Sequence, residues 1–201
     1  MSDACCTPPP PSSDPSYRRI LWIALVANLA MFGVELVASV WSGSSALAAD
    51  AADFLGDSAN YALSLGAIAL GGAWVSRVAL LKGAAMSVYG LAVLAYAAWR
   101  AWLGVPPEPV TMGVVGALAL AVNFGVAALL FRFREGDANM RSVWLCTRND
   151  VIANLAVLVA AAGVFGTGTV WPDVAVAAML ALLGLSSGRT VIRQARAELS
   201  S

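Results

Sequence analysis

Three aspartates share one face of an otherwise apolar stretch of the sequence. Residues 46–65 carry Asp50, Asp53 and Asp57 among alanine, leucine and other small residues. At about 100° per residue, Asp53 and Asp57 lie roughly 40° apart on a helix, with Asp50 on their flank. Each aspartate at mid-membrane costs about 2.5–3.5 kcal/mol on insertion scales, so the stripe needs a neutralising partner. A divalent cation or protons would serve, and we predict a metal-binding transport helix.

A second polar group lies in the segment WLCTRNDVIAN, where Cys146 and Asp150 are four residues apart and stack on one helix face. A thiolate and a carboxylate at this spacing form half of a tetrahedral site, and Asp53 and Asp57 would form the other half. This Cys–Asp–Asp–Asp set suits a borderline ion in four-coordination. Four ionised ligands would overcompensate a divalent charge, so some would carry protons until metal binding releases them. The site therefore predicts proton-coupled export.

Other polar residues are predicted to support this site. We expect Asp50 to hydrogen-bond as structural support, and Glu35 and Arg148 to form a buried ion pair that leaves the site carboxylates to the metal. Asp150 could instead pair with an arginine on another helix, and a lone cysteine such as Cys146 is often a small core residue. Asparagines within apolar helices favour interhelical hydrogen bonds over ligation, and here they are Asn28, Asn60, Asn123 and Asn154.

The composition places these residues in a membrane protein. The chain has 201 residues, of which 60% are hydrophobic and 12% charged, and its mean hydropathy is +0.77. A soluble domain carries about twice that charged fraction. At about 20 residues per span, the length allows six helices and no large extra domain. We predict an all-α polytopic fold with spans at about 20–41, 46–72, 83–102, 111–131, 142–165 and 172–188.

Charge and residue usage narrow the function further. The net charge is +0, which does not favour nucleic-acid binding, and the chain contains no histidine, so carboxylate and thiolate must carry any metal chemistry. With six spans, only Arg100 falls near the outer side, Arg148 lies within a span, and the positive-inside rule places both termini in the cytoplasm. The remaining basic residues all fall on the inner side: Arg18, Arg19, Arg77, Lys82, Arg132, Arg134, Arg141, Arg189, Arg193 and Arg196.

The N-terminal segment differs in character from the rest. Residues 1–17 are polar and proline-rich and cannot form a packed core, so we predict a disordered cytoplasmic tail followed by a transport domain over 18–199. Cys5 and Cys6 could capture a soft metal, or their thiols could have no role. Small residues recur on one face of the third span at Gly83, Ser87 and Gly90, and on the sixth at Ala177, Ala181, Gly184 and Gly188. Such faces let helices approach closely.

These constellations resemble the transmembrane domain of the cation diffusion facilitators, a family of metal–proton antiporters. The family's second helix has a serine-rich turn, an Ala-Asp-Ala segment and a ligand pair; the segment SGSSALAADAADFLGD places that pair on Asp53 and Asp57. In the fifth helix, Cys146 and Asp150, followed by VIANLAVL, match a His or Asp, three residues, then Asp. The segments WPDVAVAAMLAL and VIRQARAEL resemble the sixth helix and its exit. The resemblance covers residues 18–199.

The resemblance implies six helices, cytoplasmic termini, a site between the second and fifth helices, alternating access in exchange for protons, and commonly a homodimer. Two departures matter. The chain ends before the usual cytoplasmic C-terminal domain, which leaves dimerisation to membrane helices. Cysteine also replaces the usual histidine at position 146, and the histidine-rich loop is missing. A thiolate favours zinc or cadmium, with cobalt also compatible, over manganese or magnesium.

Two other functions compete with export across the cell (inner) membrane. Intramembrane transferases that act on lipid-linked phosphates also use spaced aspartates, but they need Mg²⁺ and basic residues to hold the phosphate. Residues 46–72 contain no lysine or arginine, which disfavours that enzyme, and we predict no catalytic residues. A non-transporting metal sensor or scaffold is the third hypothesis; metal binding without flux would distinguish it.

Overall fold

The computed structural model describes residues 15–70, 72–134 and 138–200, and those ranges form six long helices and one short 3-10 helix. The predicted all-α fold is confirmed. The helices are α1 Pro15–Ser42, α2 Ser45–Leu70, α3 Gly72–Leu103, α4 Pro109–Leu130, α5 Ala138–Thr167 and α6 Trp171–Ser200, with the 3-10 helix at Phe131–Phe133 after α4. Residues 15–17 of the predicted tail are helical, whereas Cys5 and Cys6 lie outside the described residues.

Five helices are long and apolar enough to cross a membrane. Among the described residues these are α1, Ala79–Leu103 within α3, Pro109–Phe133, Cys146–Thr167 within α5, and Trp171–Ala197 within α6. Helix α2 carries the three aspartates and falls outside this set. The sixth span therefore stays a prediction.

The start of α3 corrects one expectation. The spans predicted at 46–72 and 83–102 leave Arg77 and Lys82 in a connection between helices, but both lie inside the continuous helix α3. Lys82 also lies within the apolar segment Ala79–Leu103. Charged side chains do not interrupt helical hydrogen bonding, so a charge pair by itself is a weak signal of a helix boundary.

The helices form two groups. In the first group α1 packs against α2 and α4, and α5 packs against α4 and α2. In the second, α3 packs along α6 as a pair that lies against α2, with α6 also contacting α5. The two predicted small-residue faces meet within this pair. A side chain on Gly188 would place its Cβ 2.7 Å from Ser87 Oγ and 3.0 Å from the Gly83 carbonyl oxygen, so only glycine permits this approach.

The hydrophobic core lies on both sides of the polar residues. At one end Tyr17 packs edge-on against Phe133, with ring centroids 5.2 Å apart, close to the buried Tyr61. At the other end the core is rich in alanine, around Ala46 and Val164. Because apolar layers enclose α2 and α5 at both ends, the polar middle of each helix lies in the interior of the bundle.

Asp173 fixes the start of α2. Its fully buried carboxylate accepts four hydrogen bonds. Two come from the hydroxyls of Ser44 and Ser45, both at 2.6 Å. The other two come from the backbone N–H groups of Ser45 at 2.8 Å and Ala46 at 3.0 Å. Ser44 also caps α2, since its Oγ accepts from the Leu47 N–H at 3.0 Å. Asp173 lies in the first turn of α6, yet its carboxylate satisfies the N-terminus of α2.

Candidate functional site

One cavity receives all four candidate ligands. Asp53 and Asp57 of α2 and Cys146 and Asp150 of α5 line a space of about 80 Å³. Each pair spans about one helical turn, so both members of a pair face the same way. The cavity has room for an ion with a few water molecules.

The four side chains do not form a closed metal-binding group in this conformation. Asp57 is 7% exposed, and Asp53, Cys146 and Asp150 are half-buried. Across the described ranges, no three Cys, Asp or Glu side chains converge closely enough to hold a metal ion. The cavity thus gathers the predicted donors without closing them into a coordination sphere.

The opposite wall of the cavity comes from α3 and α6. Lys82 and Met86 of α3 and Ser187 and Val191 of α6 line it. Lys82 is only 8% exposed, and its ammonium donates a hydrogen bond to Asn60 Oδ1 on α2. Asn60 therefore bonds across helices, as predicted. Sequence reasoning missed Lys82, although one signal was present: it is the only lysine in the chain.

A hydrogen bond ties α2 to α5 on one side of the cavity. The Tyr61 hydroxyl lies 2.8 Å from Thr147 Oγ1 and 3.3 Å from Asp57 Oδ2. Tyr61 and Thr147 are both buried. This contact orients Asp57 and holds the α2 half of the site against the α5 half.

A second tie joins the same helices on the other side. Asn154 Nδ2 donates to both oxygens of Asp50, at 2.8 and 2.9 Å, and Asn154 Oδ1 accepts from Asn123 of α4 at 3.0 Å. All three side chains are buried. These contacts agree with structural roles for Asp50 and the two asparagines. Asn28 differs from the expectation, because it donates to the Ala24 carbonyl of its own helix at 2.9 Å.

The expected Glu35–Arg148 ion pair does not form in the part of the chain that the structure describes. Glu35 is fully buried on α1 and interacts electrostatically with Asp50 and Asp53. Arg148 is exposed; its Nη2 donates to Asn149 Oδ1 at 3.4 Å and its guanidinium lies 5.5 Å from the Trp144 ring centroid. At about 100° per residue, Arg148 lies about 200° from Cys146 around α5, and its side chain is exposed.

Comparison with known proteins gives consistent matches. Residues 21–200 match a protein family described as the cation efflux transmembrane domain. The chain is 28% identical over 179 residues to the metal cation efflux system protein CzcD of Cupriavidus metallidurans, which covers 82% of this chain and 56% of that protein. It is 25% identical over 194 residues to a cadmium, cobalt and zinc/H(+)-K(+) antiporter of Bacillus velezensis, covering 89% of this chain and 61% of the antiporter. The chain thus spans a little over half the length of these relatives.

Proposed function

Because the chain belongs to the cation efflux family, we propose that it exports divalent transition-metal ions in exchange for protons, with Asp53, Asp57, Cys146 and Asp150 as the ligands. The observation that carries the proposal is the meeting of two acidic helix faces, from α2 and α5, at one cavity inside an apolar bundle. Buried carboxylates need a cation or protons as partners. A site that binds the metal ion and protons in alternation exchanges one for the other across the membrane, which is antiport.

Family membership also settles two broader points. The chain is a multi-pass integral membrane protein of the cell membrane. The family comprises transporters, so the transferase alternative is set aside. Family membership, and not a lack of basic residues near the aspartates, is the reason for setting the transferase aside, because Lys82 of α3 also lines the cavity.

Soft donors favour zinc or cadmium as the substrate, with cobalt also compatible. The Cys146 thiol and the Met86 thioether both line the cavity, and sulfur ligands select zinc and cadmium over manganese or magnesium. One relative carries cadmium, cobalt and zinc in its name. The proposed set of three carboxylates and one thiolate would close around the ion.

We further propose six spans with both termini in the cytoplasm, alternating access, and a homodimer formed through membrane helices. Helix α2 is 26 residues long, which is enough to cross a bilayer if its aspartates face the bundle interior. Asp50 and Asp57 do so, being nearly or fully buried. A span by α2 puts the basic ends of α1, α4 and α6 on one side, as the positive-inside rule requires.

Transport by everted vesicles tests the function. Vesicles with the protein should accumulate Zn²⁺ or Cd²⁺ when a proton gradient is present, and a protonophore should abolish the uptake. Asp57→Ala and Asp150→Ala should reduce uptake to the level of vesicles without the protein. Glu108→Ala, which removes an exposed carboxylate outside the cavity, is the matched control and should transport normally. Uptake retained by both cavity variants would refute the proposed ligands, and metal binding without flux would favour a sensor.

Metal titration of Cys146→Ser tests the thiolate. Because sulfur prefers soft ions, we expect the cadmium affinity to fall at least about tenfold and the manganese affinity to change less than about threefold. Isothermal titration of the purified protein in detergent measures both. Equal changes for the two ions would remove Cys146 from the ligand set while leaving Asp57 and Asp150 in it.

A further inference from the structure

A buried lysine shares the cavity with the candidate ligands. Lys82 lies within the apolar segment Ala79–Leu103, and its side chain is 8% exposed. Its ammonium donates to Asn60 Oδ1, and it interacts electrostatically with Asp57. The amine is therefore at the cavity wall, on the side that faces the carboxylates.

Charge balance explains why an ammonium is tolerated there. A buried cation is costly unless opposite charges are near, and the cavity supplies the carboxylates of Asp53, Asp57 and Asp150. Those carboxylates in turn need a cation or protons as partners. A metal ion in the cavity and the Lys82 ammonium at its wall would thus draw on the same negative charges and repel each other.

The residue type suits a cation that must move. Lys82 is the only lysine among twelve basic residues, and the others are arginines. An ammonium is a compact point charge on a flexible four-carbon stem, whereas a guanidinium forms fixed, bidentate contacts. A long lysine stem also lets the charge move along an apolar surface while its base stays packed.

We propose that Lys82 is a tethered counter-cation of the transport cavity: its ammonium holds the carboxylates between cargoes and withdraws when a divalent ion binds. This inference rests on the proposed function, because it assigns a competitor to the same site. It accounts for a cavity in which no three of the described donors form a metal-binding group. It also implies selectivity, since a monovalent cation offers the carboxylates no more charge than the ammonium already does.

Metal affinity in neutral and charge-conserving variants tests the inference. Lys82→Met keeps the length of the apolar stem and removes the charge, so Zn²⁺ should bind at least about tenfold more tightly, which corresponds to about 1.4 kcal/mol. Lys82→Arg, which retains the charge and can pair bidentately with a carboxylate, should bind Zn²⁺ no more tightly than the wild type. Arg77→Met, an exposed change on the same helix, is the matched control and should leave affinity unaltered. Unchanged or weaker binding by Lys82→Met would overturn the inference.

A second measurement needs no variant at Lys82. Because the chain has one lysine, growth on ¹³Cε-lysine labels a single site, and its NMR resonance should shift when Zn²⁺ is added. The shift should be absent in Asp57→Asn. If wild-type protein binds Zn²⁺ and this resonance does not respond, the counter-cation role is wrong and the transport proposal stands. If neither wild type nor Lys82→Met binds any divalent ion, both proposals fail.

Discussion

Replacing Asp173 with alanine should destabilise the helical bundle by about 2–6 kcal/mol, because two buried backbone N–H groups at the start of α2 would lose their acceptor. The carboxylate is fully buried and accepts four hydrogen bonds from the start of α2. In the variant, the two serine hydroxyls can rotate toward other acceptors, but the N–H groups of Ser45 and Ala46 cannot. Each orphaned buried group costs about 1–3 kcal/mol, so two of them account for the expected loss.

Equilibrium unfolding in mixed micelles, with increasing SDS and helicity as the signal, measures this loss. Glu108→Ala is the matched control, because Glu108 also caps a helix, accepting from the N–H groups of Val110 at 2.9 Å and Thr111 at 2.6 Å, but does so in an exposed position. Solvent replaces the lost contacts there, so the control should lose less stability. If Asp173→Ala unfolds at the same SDS fraction as Glu108→Ala, burial does not govern the strength of this cap and the reasoning is refuted.

Two further predictions concern packing and pH. Gly188→Ala should lower the free energy of unfolding by about 1–3 kcal/mol in the same assay, because its Cβ would overpack against Ser87. Gly184→Ala, whose Cβ would meet nothing within 4 Å, is the control and should be neutral or slightly stabilising. Equal losses in the two variants would show that the close approach of α3 and α6 is not the cause. Hydrogen bonds from Thr111 and Val110 lower the pKa of Glu108 from its ordinary 4.5, so its stabilising contribution is present above that value and disappears as pH falls through the lower folded-state pKa. The stability difference between wild type and Glu108→Gln should accordingly vanish in acid, and a difference that persists there would show that the carboxylate charge is not involved.

The sequence predicted the α2 and α5 faces of the cavity because helical spacing is a local property. Asp53 and Asp57, like Cys146 and Asp150, must share a face wherever a helix forms. Their meeting at one cavity required the two helices to pack, and the family resemblance supplied that expectation. Their roles as ligands remain a prediction.

The parts that sequence reasoning missed depend on contacts between helices distant in the chain. Lys82 was assigned to a loop because charge outweighed helical continuity, and nothing in its neighbourhood indicates that α3 turns it toward Asp57. An acidic residue in a first turn normally complements the dipole of its own helix, so the position of Asp173 in α6 gives no sign of its contacts with α2. Ser44, a hundred and more residues away, is the partner that the tertiary fold provides.

The ties around the cavity constrain how it can open. Two buried hydrogen bonds join α2 to α5 on both sides of the candidate ligands, Asp50–Asn154 and Tyr61–Thr147. We therefore treat α2 and α5 as one rigid body. The wall that carries Lys82 belongs instead to the α3–α6 pair, and glycines let these two helices pack closely against each other. Any opening that preserves both buried ties must therefore separate α3–α6 from α2 and α5. Such a movement would carry the Lys82 ammonium away from the carboxylates, which links access to the cavity with the charge exchange proposed for it.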